Sequence, residues 1–368
     1  MRRSNTRRSE AGARPLIFGT LDGTLAKRQT QTVINRLAEL LPRSTCQMTI
    51  IPSPVNGSES SDEPYLACTA AEVEHLEDRL LADEFRLVVV RAADLVLPLR
   101  DGVLTVAVPQ RIRPFDALLN RDGLITEEMP AGKVVGVLNL AVKAQMQPLW
   151  PHLHYRILTG GVDRALERFL RHKEVDALVM PASAAEDLGI QGIVSEIFYP
   201  ELILPSGGQG ILVVLARADD REAAERLAPL HSESTAREMA AEHAVIQRLA
   251  SDQDLPVGVL AHLDVDRLEV AAAVGSPRGD RVRRAALTGS PESAEDLGTR
   301  LAEKFLRHAE SLIDLLEADF PDGLPGDEAA GEDLAADDLD LDDPGADREL
   351  DEAIEAELAD LDRRPSDD

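Results

Sequence analysis

The chain has 368 residues, a formal net charge of −28 and only 3% aromatic residues, which is length enough to bury two or three domain cores. No apolar run approaches the ~20 residues of a bilayer span. The Arg-rich start MRRSNTRRSEAGARP has no apolar stretch behind it, as a secretory signal would, and two cysteines, Cys46 and Cys68, make neither a disulfide framework nor a Cys-rich metal site. These features predict a cytoplasmic location, and an acidic chain is a poor match for duplex nucleic acid.

The charge is uneven. Residues 321–368 hold 20 Asp and Glu against three Arg, so −17 of the −28 lies in that tail. The tail is poor in aromatic and β-branched residues and reads as mostly disordered. Within it, Leu350, Ile354, Leu358 and Leu361 recur at helical spacing, so a short amphipathic helix over 347–364 is the exception. Residues 1–14 read as a basic, disordered arm.

In chain order, RPLIFGT (14–20) reads as a strand. A helix over 26–42 places Val33, Leu37, Leu40 and Leu41 on one face and ends at a proline. QMTIIPSP is a second strand, followed by the polar loop NGSESSDEP. AAEVEHLEDRLLADE is a helix, FRLVVVRAADL a buried strand and VLTVAVP another. The alternation then repeats through VVGVLNL, AVKAQMQPLW, HYRILTG, GVDRALERFLRHK, VDALVMP and SAAEDLG, predicting two α/β units with largely parallel sheets. LPSGGQGILVVLAR (204–217) places Gly207, Gly208 and Gly210 before a buried strand. It lacks the lysine of a Walker loop and opens no helix, so a tight turn fits better than a phosphate cradle. From Ser234 a helix, the strands VGVLAHL and LEVAAAVGS, the segment RVRRAALTG and a last helix over 293–316 predict an α+β unit.

Five strings in this order resemble the porphobilinogen deaminase (hydroxymethylbilane synthase) family over about residues 15–316: GTLDGTLAKRQ, RPFDALLNRDG, LPSGGQGILVVLAR, AEHAVIQRL with LPVG, and GSPRGDRVRRA. The resemblance implies two periplasmic-binding-protein-like α/β lobes around a cleft, a small α+β C-terminal domain and the acidic tail. It also implies domain divisions at 15–110 with 203–218, 111–202, 219–320 and 321–368. The glycine segment would then be a crossover and hinge between lobes.

The family condenses four porphobilinogen units with loss of ammonia. It uses a cysteine that anchors a dipyrromethane primer, an aspartate that steadies cationic intermediates, and arginines that pair with substrate carboxylates. Carried over residue by residue, the cysteine falls on Gln253. The arginine and serine of the first turn fall on Leu21 and Gly23. The Ser-Ser-Leu-Arg-Arg-Gln string falls on 138–143, putting Asn139 at a serine and Ala141 and Val142 at the arginines. Arg-Gly-Asn-x-x-Thr-Arg falls on 159–165, putting Thr159 and Ala165 at arginines, with Gly160 retained and Arg164 one place away. The lysine before the aspartate becomes Ala93, and Asp94 alone survives; Gly208 and Gln209 keep the crossover string.

The resemblance therefore implies a family member stripped of its catalysis and, by expectation, of its dipyrromethane, acting as a binding or regulatory module. Two alternatives stay open: a working hydroxymethylbilane synthase that holds its primer otherwise, and a two-lobed small-ligand binder. Asp94 reads first as a family remnant, ahead of a turn cap or an acid/base. Cys68 reads as a small buried thiol rather than a replacement anchor. His152 and His154 share a strand face without further ligands, so no metal is expected. The expected partners are an unidentified small molecule in the cleft and a protein bound through the acidic tail, with no nucleic acid, no membrane, and a monomeric chain.

Overall fold

The computed structural model describes residues 14–54, 65–95, 97–250, 255–276 and 281–307, together with residues 352 and 354. Gln253, the basic arm up to residue 13, and the acidic tail apart from those two positions lie outside the described residues, as does the side chain of Cys68.

The first lobe begins with β1 (Leu16–Leu21), α1 (Thr24–Leu40), β2 (Cys46–Ile51), α2 (Tyr65–Leu81), β3 (Leu87–Arg91) and β4 (Val103–Ala107). β1 lies between β2 and β3 and is buried on both faces, with Leu16 and Phe18 fully enclosed, which is why it reads as a continuous apolar run. Val33 and Leu37 of α1 pack on one face of this sheet, and Val73, Leu76 and Leu80 of α2 on the other.

The chain then enters the second lobe: β5 (Asp116–Asn120), β6 (Val134–Val137), α3 (Leu140–Leu149), β7 (His154–Ile157), α4 (Gly161–Leu170), β8 (Ala177–Pro181), α5 (Ala182–Leu188) and β9 (Val194–Phe198). It returns through β10 (Leu212–Arg217), which inserts between β3 and β4 of the first sheet.

The two sheets share one plan. Their orders are β2-β1-β3-β10-β4 and β7-β6-β8-β5-β9. In each, the first three strands are parallel and the fourth runs antiparallel to both neighbours. The sheets are thus mixed rather than largely parallel. The reason is the crossover: β5 and β10 each enter their sheet from the opposite lobe, so they run against the strands that reached the sheet through local helices.

After α6 (Arg221–Leu227), the third unit comprises α7 (Glu233–Ala250), β11 (Val257–Asp264), β12 (Arg267–Gly275), β13 (Val282–Gly289) and α8 (Ala294–Leu306). Its antiparallel sheet β11-β12-β13 is covered by the two helices through Val245, Leu249, Leu297 and Leu301. The last helix, expected to run to 316, is described to Leu306.

Arg284 of β13 ties this unit to the second lobe by donating to the carbonyls of Pro200 (3.0 Å) and Glu201 (2.8 Å) and to Gln145 Oε1 (2.9 Å). A buried ion pair ties it to the crossover. Arg111 Nη1 lies 2.6 Å from Glu242 Oε1, and Glu242 also accepts from the backbone N–H of Gly208 (2.6 Å) and of Ala261 (2.7 Å). A fully enclosed carboxylate with three partners satisfies the requirement that buried charge be paired and hydrogen-bonded.

Of the helix expected over 347–364, residues 352 and 354 are described as helical, and Ile354 is buried in the apolar cluster of the second lobe. Among the described residues, no helix is long and apolar enough to cross a membrane.

Candidate functional site

The lobes meet at the start of α1. β1 ends at Leu21, which is buried with Ile51, Val73 and Leu76. The chain turns through Asp22 and Gly23, and Gly23 is the N-cap of α1 with no side chain to cap it. The cap comes from the other lobe: both oxygens of Asp163, in the first turn of α4, accept from the backbone N–H of Leu25 at 3.2 and 3.3 Å. Leu25 itself packs into the second lobe's apolar cluster with Val162, Leu166 and Ala185. Further along α1, Gln29 and Thr32 both donate to Asp187 at the end of α5, Thr32 Oγ1 at 3.3 Å. Burial raises the Asp187 carboxyl above its ordinary range, against the pull of these two bonds.

A group of acids surrounds one arginine on the first lobe. Asp94 sits in the turn after β3, and Arg91 Nε donates to its Oδ2 at 2.5 Å. The other oxygen of Asp94 is buried with no hydrogen-bond partner. Burial raises this carboxyl, opposed by Arg91. Glu72 of α2 accepts from Ser53 Oγ at 2.7 Å, and the Ser53 N–H donates to Asp22 Oδ1 at 3.1 Å. Burial raises Glu72 most, and the charges of Asp94 and Asp22 add to it, while Ser53 and Arg91 act the other way. Glu72 and Asp94 thus both feel the charge of Arg91, and Asp22 joins them through Ser53 and Glu72, so three carboxyl groups gather near one arginine.

On the second lobe, Asn139 caps α3: its Oδ1 accepts from the Val142 N–H at 2.9 Å and its Nδ2 donates to Ser206 Oγ at 3.2 Å. Ala141 and Val142, in the first turn of α3, are buried, and Val142 joins the core with Leu118, Val137 and Met146. Thr159 and Gly160 lead into α4. Gly160 is left-handed (φ 88°), and a Cβ there would fall 2.5 Å from Arg164 Cδ, so the Arg164 stem folds back over the glycine. Ala165 is fully enclosed. Lys143 lines a 390 Å³ pocket with Gln147, His154 and Tyr155 among others.

At the crossover, Gly208 (φ 77°) and Gly210 (φ 75°) lie so close to the backbone of Ala92 and Arg113 that a Cβ would come within 2.7 Å of each. Gln209 Nε2 bridges the two crossover strands, donating to the Pro114 carbonyl (3.0 Å) and to Asp116 Oδ1 (3.1 Å). Burial pushes the Asp116 carboxyl up to about 7 despite that bond. The glycines therefore serve a close-packed crossing of chains.

Of the positions singled out from sequence, the structure brings Gly23 and the Gly160–Arg164 turn together, and joins Asn139 to the crossover through Ser206. Leu21, Val142 and Ala165 face into three separate cores. Sequence reasoning passed over Asp163, Glu72, Asp116 and Asp187. Asp163 stands in a helical first turn, an ordinary place for an acid, and nothing local signals its partner in the other lobe. Among the described residues no group of three or more His, Cys, Asp or Glu is placed to hold a metal.

Two family models cover this chain: the porphobilinogen deaminase dipyromethane cofactor binding domain over residues 16–225, and the porphobilinogen deaminase C-terminal domain over 236–307. The chain belongs to the porphobilinogen deaminase family. A porphobilinogen deaminase from Roseiflexus sp. (strain RS-1) is 34% identical over 293 residues, 79% of this chain and 95% of its own. That of Nitrosomonas europaea is 30% identical over 301 residues, covering 81% and 97%. That of Thermus thermophilus is 31% identical over 294 residues, covering 80% and 96%. Among solved structures, the regulatory domain of MexT, a transcriptional activator in Pseudomonas aeruginosa, aligns with 58% of this chain and 94% of its own at 16% identity and a TM-score of 0.34.

The family match corrects one expectation. The substituted positions lead to the expectation that dipyrromethane is absent, but residues 16–225 match the domain named for binding dipyrromethane, so dipyrromethane is the cofactor that goes with this family. Single polar positions do not report on a cofactor-binding domain as a whole, which is what the match over residues 16–225 covers. At the positions carried over from the resemblance, Leu21, Ala141, Val142 and Ala165 are buried and apolar, and Arg91 is engaged by Asp94. These described residues do not fit carboxylates held by paired arginines.

Proposed function

We propose that this porphobilinogen deaminase family member does not carry out the family's condensation and acts instead as a binding module, taking a neutral or weakly cationic small molecule at its interlobe cleft. The observation that carries this reading is the gathering of Asp22, Glu72 and Asp94, with Arg91 already engaged by Asp94. Asp22, Arg91 and Asp94 belong to segments that the resemblance assigns to the substrate site, and Glu72 joins them through Ser53. Apolar residues at Leu21, Ala141, Val142 and Ala165 support it from within the cores. Each hydrogen bond to a charged group is worth about 1.5–3 kcal/mol. Loss of three would weaken a carboxylate ligand by on the order of 5 kcal/mol, more than a thousandfold. The domain divisions given above, with the tail from 321 as a protein-binding segment, belong to this reading.

Calorimetric titration of the full chain with porphobilinogen at low salt, with hydroxymethylbilane measured in the same samples, tests it. No measurable heat and no product are expected. Micromolar affinity or turnover would replace this reading with that of a working synthase, which the match to both family domains supports.

A further inference from the structure

We propose that Asp163 is an interlobe latch: it caps α1 from the opposite lobe and holds the cleft shut without a ligand. The inference is independent of the reading above, since it concerns closure and not what is bound.

A helix of 17 residues leaves its first backbone N–H groups without acceptors. An N-cap Ser, Thr, Asp or Asn ordinarily supplies one, but the N-cap of α1 is Gly23, which has no side chain to offer. Asp163 takes that role across the cleft, with both oxygens on the Leu25 N–H at 3.2 and 3.3 Å. Since Asp163 also lies in the first turn of α4, one carboxylate serves the positive ends of two helices that face each other.

The glycine is part of the device. A Cβ on Gly23 would lie 2.9 Å from Asp163 Oδ2, so the absence of a side chain admits the carboxylate. The contact does not stand alone. Leu25, Gln29 and Thr32 recur at i, i+4 and i+7, one face of α1, and all three meet the second lobe: Leu25 in its apolar cluster, Gln29 and Thr32 on Asp187. Asp163 is the charged end of this seam. The anion at the start of α1 is thus supplied by the protein, and an incoming carboxylate would have to displace it.

Two full-length variants separate a latch from a simple helix cap. Asp163→Ala removes the acceptor. Gly23→Ser gives α1 a cap of its own while crowding Asp163 away. Both are compared with the unaltered chain by small-angle X-ray scattering and by hydrogen exchange. Both should show a larger radius of gyration, with exchange at 161–165 faster by about tenfold or more, the equivalent of one charged hydrogen bond lost. In Gly23→Ser the amides of 24–27 should stay protected, because the serine replaces the lost acceptor. Circular dichroism and protection of the third unit's strands report folding. If folded Gly23→Ser scatters like the unaltered chain and exchanges like it at 161–165, the latch is wrong, whatever Asp163→Ala does.

Discussion

Replacing Asp116 by asparagine should stabilise the protein at alkaline pH, and by progressively less as the pH falls toward about 4. Asp116 is buried between the crossover strands, with one oxygen on Gln209 Nε2 and the other without a partner. Burial raises its pKa from the usual 3.8 to about 7. Between these values the folded chain keeps a proton that the unfolded chain has released. Stability therefore falls as pH rises through that window and levels off above about 7. Each pKa unit corresponds to about 1.36 kcal/mol, so the full ionisation cost is on the order of 4 kcal/mol. Asparagine keeps the oxygen that accepts from Gln209 and never ionises. Urea unfolding followed by circular dichroism, at about pH 5 and about pH 8, measures the difference between Asp116→Asn and the unaltered chain, so that other titrating groups cancel. With a slope of roughly 3 kcal/mol per molar urea, the midpoint of Asp116→Asn should lie about 1 M higher at the upper pH. A midpoint difference that is the same at both pH values would refute the reasoning.

Two further outcomes follow from packing. Gly208→Ala forces a Cβ to 2.7 Å from the Ala92 carbonyl carbon at a left-handed φ of 77°, so it should lose about 2 kcal/mol or more in a thermal melt; an unchanged melting temperature would mean that the crossover is looser than it stands. Ile354→Ala should cost about 2–4 kcal/mol because Ile354 is buried in the second lobe's cluster. Truncation before residue 321 should lower the melting temperature similarly while leaving the three units folded, and a truncated chain that melts as the full one does would deny that docking.

Much of the fold was legible in local patterns. Val33 and Leu37 of α1, the Leu87–Arg91 run of β3 and the Leu212–Arg217 run of β10 carry their structure in their own periodicity. β5 and β9 escape a local reading: DALLN has the polar Asp116 and Asn120 at its ends and VSEIF holds Ser195 and Glu196, so neither shows the apolar run that marks the equally short β3. Their antiparallel sense depends on which lobe the chain arrives from, a non-local fact. α1 starts at Thr24 rather than at Ala26 because its cap lies 138 residues away. At the site, Leu21, Gly23 and Gly208 could be placed through the resemblance. The Asp163, Glu72 and Asp187 contacts could not, because a surface acid and a bridging acid look alike until the chain is folded.

The exchanged strands bear on how this chain comes off the ribosome. The second lobe's sheet draws its strands from one continuous stretch, 116–198, and is complete once that stretch has emerged. The first lobe's sheet is not: β4 pairs only with β10, so until residue 217 is made, β3 presents an open edge and β4 has no sheet to join. The lobe encoded first is therefore finished second. An unpaired apolar edge is a template for pairing with other chains. Nascent chains that have emerged beyond residue 198 but not as far as residue 217 would carry one finished lobe and one exposed to chaperones and aggregation.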